Sequence, residues 1–375
     1  MNKKKKILIC TEFFNPDIGG AQEISERIAL INSEFHDVHI LTSFHADRKK
    51  LQKNYYIHDF KVSGNYVRGI KGEKKKVLSF LNKEFFDQII FYAAQQWTFD
   101  LFLQNEYLFN KKVKYFFIPC GFSKLNFLTY HFYFKKIIKI SKYFEKIIFH
   151  SKYGNDYYFL LNKIQANQIS IVKNGFKDEY FETLDIYDYY QIHPKAKIIP
   201  YISNFNYLKG QIRFLKILNK VNFKSPIYVI FFSKSKFYDK FFYYRFFLLY
   251  KKLFLNNKMI KVKIHFDAPK KYIHNTLNNS FLFLFCSRIE YSPLVIFEAL
   301  QNNLPIVTFD VGDVSEVVKK NNFGFVVKKE KDFIYFLNKL LTDDLLYKSI
   351  KKNIKINKHI YNWSIIKEKY ISIFK

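Results

Sequence analysis

The chain has 375 residues, more than one hydrophobic core usually organises, so its length predicts two domains. Its net charge of +30 leaves three explanations open: compositional bias over a solvated surface, contact with an anionic membrane, or contact with nucleic acid. No nucleic-acid-binding motif is present, so nucleic acid is not expected as a partner.

Three cysteines, Cys10, Cys120 and Cys286, lie far apart in the sequence and form no C-x-x-C pair. This spacing argues against a disulfide framework or a zinc site and fits a reducing compartment. The lysine-rich start leads into an apolar run too short for a signal peptide, and no uncharged apolar run reaches the length of a membrane span. We therefore expect a cytoplasmic protein, either free or peripheral on the inner face of the cytoplasmic membrane.

Short apolar runs alternate with helix-like stretches through the first half. Strands are predicted at residues 6–10, 38–41, 88–92, 115–118, 146–150 and 169–172, with a helix at residues 21–31. The strands are apolar without alternation, which is typical of a parallel sheet covered on both faces.

The same pattern restarts after a polar stretch. Strands are predicted at residues 198–202, 227–232, 262–266, 281–285 and 305–309, helices at 211–221 and 237–255, and only helices from 332 to 375. Two alternating runs predict an α/β protein with two doubly wound, Rossmann-like domains. The predicted limits are 1–178 for the first domain, 179–195 for a linker, 196–355 for the second domain, and 356–375 for a helix packing towards the first domain.

A ligand site is predicted where the strand at residues 281–285 ends, because open α/β sheets bind ligands at the carboxyl ends of their strands. Ser292 is a good N-cap residue and Pro293 suits the first helical position. The amides of the next residues, Leu294 and Val295, would then lack helical partners. They would bind an anion such as a diphosphate with help from the helix dipole.

Two acidic residues flank this helix start. Glu290 precedes it, and Glu298 lies about one turn inside it. A carboxylate only accepts hydrogen bonds, so Glu298 suits the two hydroxyls of a ribose and Glu290 suits sugar hydroxyls. The alternative is a helix-start carboxylate favoured by the dipole beside an unrelated loop acid.

These residues resemble the retaining family 4 glycosyltransferases. Glu290 and Glu298 stand in the E-x7-E arrangement of that family, and the segment after them is similar to the family's continuation. Three segments earlier in the chain are also similar, in the order that the family has them. Residues 15–21 are like the family's first glycine loop, residues 171–176 are like the strand-Asn-Gly that ends its first domain, and Lys209-Gly210 is like the Lys-Gly that opens the first helix of its second domain.

The resemblance implies a GT-B fold, with two Rossmann-like domains around a cleft and no required metal or other cofactor. It implies that Lys209, followed by Gly210, neutralises the donor diphosphate. Glu298 would hold the ribose and Glu290 the transferred sugar. Gly19 and Gly20 would let the backbone approach the donor phosphates or the acceptor, although a plain tight turn is the alternative.

Two positions depart from the family pattern. Many relatives have an arginine five residues before the lysine, and this chain has Asn204, which leaves Arg288 and Arg213 as the candidate substitutes at the diphosphate. Many also have a histidine at the end of a first-domain strand, where this chain has Cys120. We expect Cys120 to be a small polar lining residue rather than a nucleophile.

The sequence therefore predicts a glycosyltransferase that moves a sugar from a nucleoside diphosphate sugar to a hydroxyl, on a glycan or lipid-linked acceptor of a bacterial surface. Three alternatives stay open: a GT-B epimerase or phosphorylase, a weakly active or inactive binding or scaffold protein, and a nucleic-acid-binding protein suggested by charge alone.

Overall fold

The computed structural model describes residues 4–17, 19–48, 51–52, 54–235 and 238–375. Ile18 of the predicted glycine loop and Phe237 of a predicted helix lie outside these residues. The chain divides into two compact units, one formed by Met1–Asn174 with Ile366–Lys375 and the other by Gly175–Ile365.

The first unit contains a sheet of eight strands in the order β10-β9-β8-β7-β1-β2-β4-β3. Neighbouring strands are parallel except for the pair β3 and β4. A separate antiparallel hairpin pairs β5 with β6. The strands are β1 Lys6–Cys10, β2 Asp37–Ser43, β3 Leu51–Gln52, β4 Tyr55–Phe60, β5 Val62–Asn65, β6 Gly69–Gly72, β7 Gln88–Tyr92, β8 Lys114–Ile118, β9 Phe144–Phe149 and β10 Ile169–Ile171.

Helices cover this sheet and bury its apolar side chains. They are α1 Gly20–Ser33, α2 Lys74–Lys83, α3 Trp97–Gln104, α4 His131–Ile140 and α5 Asn155–Leu160. The core is rich in phenylalanine, and the stacked rings of Phe99 and Phe117 lie 4.4 Å apart between centroids. The end of the chain also packs here, because Gln88 Nε2 donates to the Phe374 carbonyl at 2.8 Å.

The second unit contains two parallel three-stranded sheets, in the orders β11-β12-β13 and β14-β15-β16. The Phe281 amide donates to the Ile198 carbonyl at 3.0 Å, so the edges of the two sheets adjoin. The strands are β11 Lys197–Ile202, β12 Ile227–Ser233, β13 Ile260–Phe266, β14 Phe283–Phe285, β15 Ile306–Phe309 and β16 Gly324–Val327.

Helices of the second unit connect and cover these strands. They are α6 Ile186–Tyr189, α7 Gln211–Asn219, α8 Tyr238–Phe254, α9 Lys270–Asn278, α10 Leu294–Gln301, α11 Glu330–Thr342, α12 Asp344–Asn357 and α13 Trp363–Phe374. The last of them starts in the second unit and ends in the first. The strands are parallel within each sheet, and the Arg288 amide after β14 donates to the Leu208 carbonyl after β11 at 2.7 Å. The loops after β11, β14, β15 and β16 therefore leave from one edge.

The predicted α/β class and parallel strands are confirmed, with boundaries that differ by a few residues. The sequence analysis did not predict β3, β4, the β5–β6 hairpin or β16. β4 mixes polar and aromatic residues near the sheet edge, so it lacks the apolar run of a central strand. The limits of the predicted linker stay a prediction, although residues 186–189 within it form α6.

Candidate functional site

The loop after β11 places Lys209 at the carboxyl edge of the second unit. Tyr207–Lys209 forms a 3-10 turn, and the Asn206 side chain caps it by accepting from the Lys209 amide at 3.1 Å. The Tyr201 hydroxyl donates to the Lys209 carbonyl from the other side. Burial raises the pKa of Tyr201, so this phenol stays protonated and remains a donor. These bonds fix the backbone from which the ammonium group extends.

Gly210 joins this turn to α7 and has a left-handed conformation, with φ of 72°. A β-carbon at this position would lie 2.1 Å from the carbonyl oxygen of Cys286, at the end of β14. Both the positive φ and the close approach of the two backbones require glycine. The Lys-Gly pair of the sequence therefore marks the point where the β11 and β14 loops meet.

Lys209 and Glu290 form an ion pair. Lys209 Nζ donates to Glu290 Oε1 at 2.6 Å, and the two side chains are 29% and 15% exposed. Residues 81 positions apart are thus brought together at the carboxyl ends of two strands. A short hydrogen bond between charged groups of this kind holds each side chain in place at the strand edge.

The start of α10 differs from the prediction by one residue. The helix begins at Leu294, and Pro293 precedes it with an extended backbone (φ −73°, ψ 118°). Pro293 therefore occupies the cap position, and the predicted capping role of Ser292 is wrong. The Ser292 hydroxyl instead donates to Asp313 Oδ2 at 2.8 Å.

Leu294 and Val295 are the first residues of α10, where helical N–H groups have no partner within the helix. Glu298 follows Leu294 by four residues, so it lies on the same face about one turn later. Leu294, Val295 and Glu298 are all half-buried. The structure thus places helix amides and an acidic side chain along one face of the same helix.

A second loop supports this helix start. Gly312 has a φ of 56°, and a β-carbon there would lie 2.3 Å from the Tyr291 carbonyl oxygen. The next residue, Asp313, is 1% exposed; its amide donates to the same Tyr291 oxygen at 3.0 Å, and its side chain accepts from Ser292. The sequence reading missed Asp313, because its role depends on two loops meeting.

Asn204, where relatives have arginine, is exposed. Its carbonyl accepts from the side chain of Gln211 at 2.8 Å, and the same amide nitrogen donates to Ser203 Oγ at 2.9 Å. Gln211 is fully buried at the first position of α7 and was also missed. Its signal was weak, since a glutamine at a helix start usually faces solvent.

In the first unit, Gly19 and Gly20 lie at the start of α1. Gly19 has an extended backbone with φ of 168°, and a β-carbon there would meet only the flexible end of the Gln22 side chain. Neither feature demands glycine at Gly19. The proposed approach of a ligand to Gly19 and Gly20 stays a prediction.

Cys120 follows β8 and packs against buried polar groups. Its Sγ lies 3.8 Å from His150 Nε2, and His150 Nδ1 lies 3.1 Å from the Val172 carbonyl oxygen, which marks Nδ1 as the protonated nitrogen. Burial lowers the pKa of His150 and raises the pKa of Cys120 to about 12. A neutral imidazole does not activate this thiol, so Cys120 is a poor nucleophile.

Glu12 is a residue that the sequence reading did not single out. It follows β1, and its carboxylate accepts from the Trp97 amide. Burial, opposed by this hydrogen bond and reinforced by the nearby Asp100, raises the pKa of Glu12 to about 7. A carboxyl group that titrates near neutral pH at a strand end is a candidate acid or base.

Among the described residues, no group of three or more His, Cys, Asp or Glu side chains is arranged to bind a metal ion. The expectation of metal-independent chemistry stays a prediction. No helix in the described part of the chain combines the length and apolar character needed to cross a membrane.

A comparison with protein families finds a match within the second unit. Residues 188–357, which contain Lys209, Glu290 and Glu298, match the family model described as glycosyl transferases group 1. No curated protein sequence matches the chain.

Solved structures share the fold over nearly the whole chain. Sucrose-phosphate synthase from Thermosynechococcus elongatus aligns with a TM-score of 0.80 and 12% identity, over 99% of this chain and 98% of that one. HepE from Anabaena, in complex with UDP-glucose, aligns with a TM-score of 0.78 and 16% identity, over 99% of each chain. WaaG, a glycosyltransferase involved in lipopolysaccharide biosynthesis, aligns with a TM-score of 0.69 and 14% identity, over 98% of this chain and 99% of that one. Residues 188–357 therefore form a glycosyl transferases group 1 domain, and the chain has the GT-B fold of these glycosyltransferases over nearly its whole length.

Proposed function

We propose that the protein transfers a sugar from a nucleoside diphosphate sugar to an acceptor hydroxyl, with retention of the anomeric configuration and without a metal ion. The observation that carries this proposal is the 2.6 Å pair of Lys209 and Glu290 on the loops that lead into α7 and α10. A cation, an acid and the positive end of a helix dipole are the groups that a diphosphate-linked sugar requires.

The bond between the anomeric carbon and the diphosphate breaks, and the diphosphate leaves with the electron pair. The acceptor oxygen forms the new bond on the same face of the sugar, and its proton passes to the departing diphosphate. Charge on the leaving group rises during this step. The Lys209 ammonium and the amides of Leu294 and Val295 stabilise it, with an effect of about 2–4 kcal/mol for one well-placed donor.

Glu290 and Glu298 bind different parts of the donor. Glu290 uses Oε1 for Lys209, and a carboxylate has acceptor capacity on both oxygens, so it also accepts from hydroxyls of the transferred hexose. Glu298, one turn along α10 from Leu294, accepts from the ribose hydroxyls. Ser292, Asn204 and Gly210 shape the loops around the diphosphate. HepE, with the same fold, was solved with UDP-glucose, which makes UDP-sugars the first donors to test.

The test compares Lys209→Gln with Lys220→Gln, at opposite ends of α7. We expect UDP, measured by titration calorimetry, to bind Lys209→Gln about tenfold more weakly because a charged contact is lost, and Lys220→Gln to bind like the wild type. Glu298→Gln should also weaken binding. Equal affinity in the wild type and Lys209→Gln would contradict the proposed donor site.

A turnover assay distinguishes sugar transfer from the alternative functions. Sugar transfer is supported if UDP-glucose with a labelled glucose releases UDP and the label appears in an added membrane fraction. NMR of the product should then show that the anomeric configuration is retained. Donor binding without UDP release would indicate a scaffold protein, and recovery of an isomeric UDP-sugar would indicate an epimerase.

We further propose a cytoplasmic protein that binds an anionic membrane surface to reach a lipid-linked glycan acceptor. Phe127, Leu128 and Phe132, at the start of α4, are 59%, 90% and 73% exposed. The exposed Lys124 and Lys135 lie in the same segment. Apolar tips beside lysines on a chain of net charge +30 suit the boundary of an anionic bilayer.

Vesicle sedimentation tests the membrane proposal. We expect binding to vesicles of phosphatidylglycerol and phosphatidylcholine, weaker binding to phosphatidylcholine alone, and a clear loss in Leu128→Asp. Tyr180→Asp, at a 95% exposed aromatic in the second unit, is the matched control and should bind normally. Equal binding of both variants would overturn this surface.

A further inference from the structure

A pocket of about 330 Å³ opens in the second unit at the carboxyl ends of β14, β15 and β16. Ser287 and Arg288 line it after β14, Phe309 and Asp310 at the end of β15, and Lys328 just after β16. Lys209, Glu290 and the residues of α10 are not part of this lining. The pocket is therefore distinct from the proposed donor site, although both adjoin the loop after β14.

The lining of the pocket is cationic. It includes Arg213, Arg288 and Lys328, against a single acid, Asp310. Three positive side chains around so small a space favour an anionic ligand, because their mutual repulsion falls when an anion binds between them. The Asp310 side chain accepts from Ser315 Oγ at 2.8 Å, which holds its carboxylate at the rim.

Arg213 is held in place before any ligand binds. Its Cζ lies 3.1 Å from the centroid of the Phe309 ring, and its Nε lies 3.4 Å from Glu330 Oε1. The side chain is 17% exposed. A guanidinium group fixed by stacking and by one carboxylate keeps other N–H groups for an oxyanion, with little loss of side-chain entropy on binding.

Ser287 gives an independent sign of a ligand. The residue is fully buried, and its hydroxyl oxygen has no hydrogen-bond partner among the described residues. Buried hydroxyl groups in proteins nearly always have a partner. A buried hydroxyl without a protein partner, on a residue that lines a cationic pocket, is the pattern expected where a ligand supplies the partner.

We propose that this pocket binds a small phosphate monoester that carries hydroxyl groups, such as a monosaccharide phosphate. Arg213 and Lys328 hold the phosphate, while Asp310 and Ser287 bind hydroxyls. The volume is at the small end of ligand pockets, which span about 300–1,000 Å³, and suits such a compact molecule. The Arg288 amide donates to the Leu208 carbonyl at 2.7 Å, so the loop after β14 that lines the pocket also contacts the loop that carries Lys209. The proposal does not depend on the proposed transfer reaction.

The experiment is titration calorimetry of the full chain with glucose 6-phosphate, inorganic phosphate and neutral glucose. We expect both phosphates to bind, glucose 6-phosphate more tightly, and glucose not to bind. Lys328→Gln and Arg213→Gln should each weaken binding about tenfold, whereas Lys352→Gln, an exposed lysine of α12, should have no effect. Far-ultraviolet circular dichroism checks that each variant is folded.

Lys209→Gln distinguishes this pocket from the proposed donor site. We expect that variant to bind glucose 6-phosphate normally, and saturating UDP not to displace the ligand. The proposal is overturned if neither phosphate binds the wild type, if Lys328→Gln and Arg213→Gln both keep full affinity, or if Lys209→Gln or UDP alone abolishes binding. Failure of UDP to bind would count against the donor site and leave this pocket standing.

Discussion

Ionisable side chains at the strand ends of the two units differ in burial and in pairing. In the second unit, Lys209 and Glu290 pair at 2.6 Å and remain partly exposed. In the first unit, burial raises the pKa of Cys120 to about 12 and that of Glu12 to about 7, and lowers that of His150. Burial disfavours the charged forms of the first-unit groups, whereas the second-unit pair lies at a partly exposed edge. The charged edge of the second unit is therefore suited to bind an anion.

The largest expected effect is on the close packing that supports the charged edge. Gly210→Ala should destabilise the protein by about 2–4 kcal/mol, because alanine is strained at a φ of 72° and its β-carbon would meet the Cys286 carbonyl. Chemical denaturation measures the change in the free energy of unfolding.

Gly69 provides the matched control for that substitution. It also has a positive φ, of 83°, but a β-carbon there would have no heavy atom within 4 Å. Gly69→Ala should therefore lose only about 1 kcal/mol, from the backbone strain alone. Equal losses in the two variants would show that the approach of Gly210 to β14 is not tight.

A smaller effect is expected at Glu12. The pKa of Glu12 is about 7 in the folded protein against an ordinary 4.5, so the folded state binds the proton more tightly than the unfolded state. Its contribution to stability therefore falls as pH rises from 4.5 to 7. Glu12→Gln, which cannot ionise, should be more stable than the wild type at pH 8, by on the order of 2 kcal/mol, and about equal at pH 4.

Thermal unfolding at both pH values measures this difference. Glu34→Gln, an exposed residue after α1, removes the same charge at the surface and should change stability little at either pH. A stability difference between Glu12→Gln and the wild type that does not vary with pH would contradict the effect of burial on Glu12.

The smallest functional effect is expected at Cys120. With a pKa of about 12, its thiolate fraction at pH 8 is about a thousandfold below that of a free cysteine. Iodoacetamide should leave Cys120 unmodified in the folded protein and modify it in urea, as read by mass spectrometry. Cys120→Ala should keep UDP affinity within about twofold. Rapid alkylation of Cys120 in the folded protein would contradict the burial of this thiol and its difference from the exposed edge of the second unit.

Much of the architecture could be predicted from sequence. Apolar runs such as that of β12 require burial on both faces, and their alternation with helical stretches predicted the parallel sheets. Lys209, Glu290 and Glu298 were predicted as site residues because they lie in a local, ordered pattern that resembles a known family, and their roles stay a prediction. Strands with mixed residues, such as β4, gave no such signal.

The local sequence by itself determined the order of the central apolar strands and the positions where charged residues and glycines follow their ends, because apolar periodicity and turn chemistry act between near neighbours. Only the tertiary structure decided that Lys209 meets Glu290, that Ser292 bonds to Asp313, and that Glu12 titrates near neutral pH. Those properties depend on burial and on contacts between distant loops, which no short segment of the chain contains.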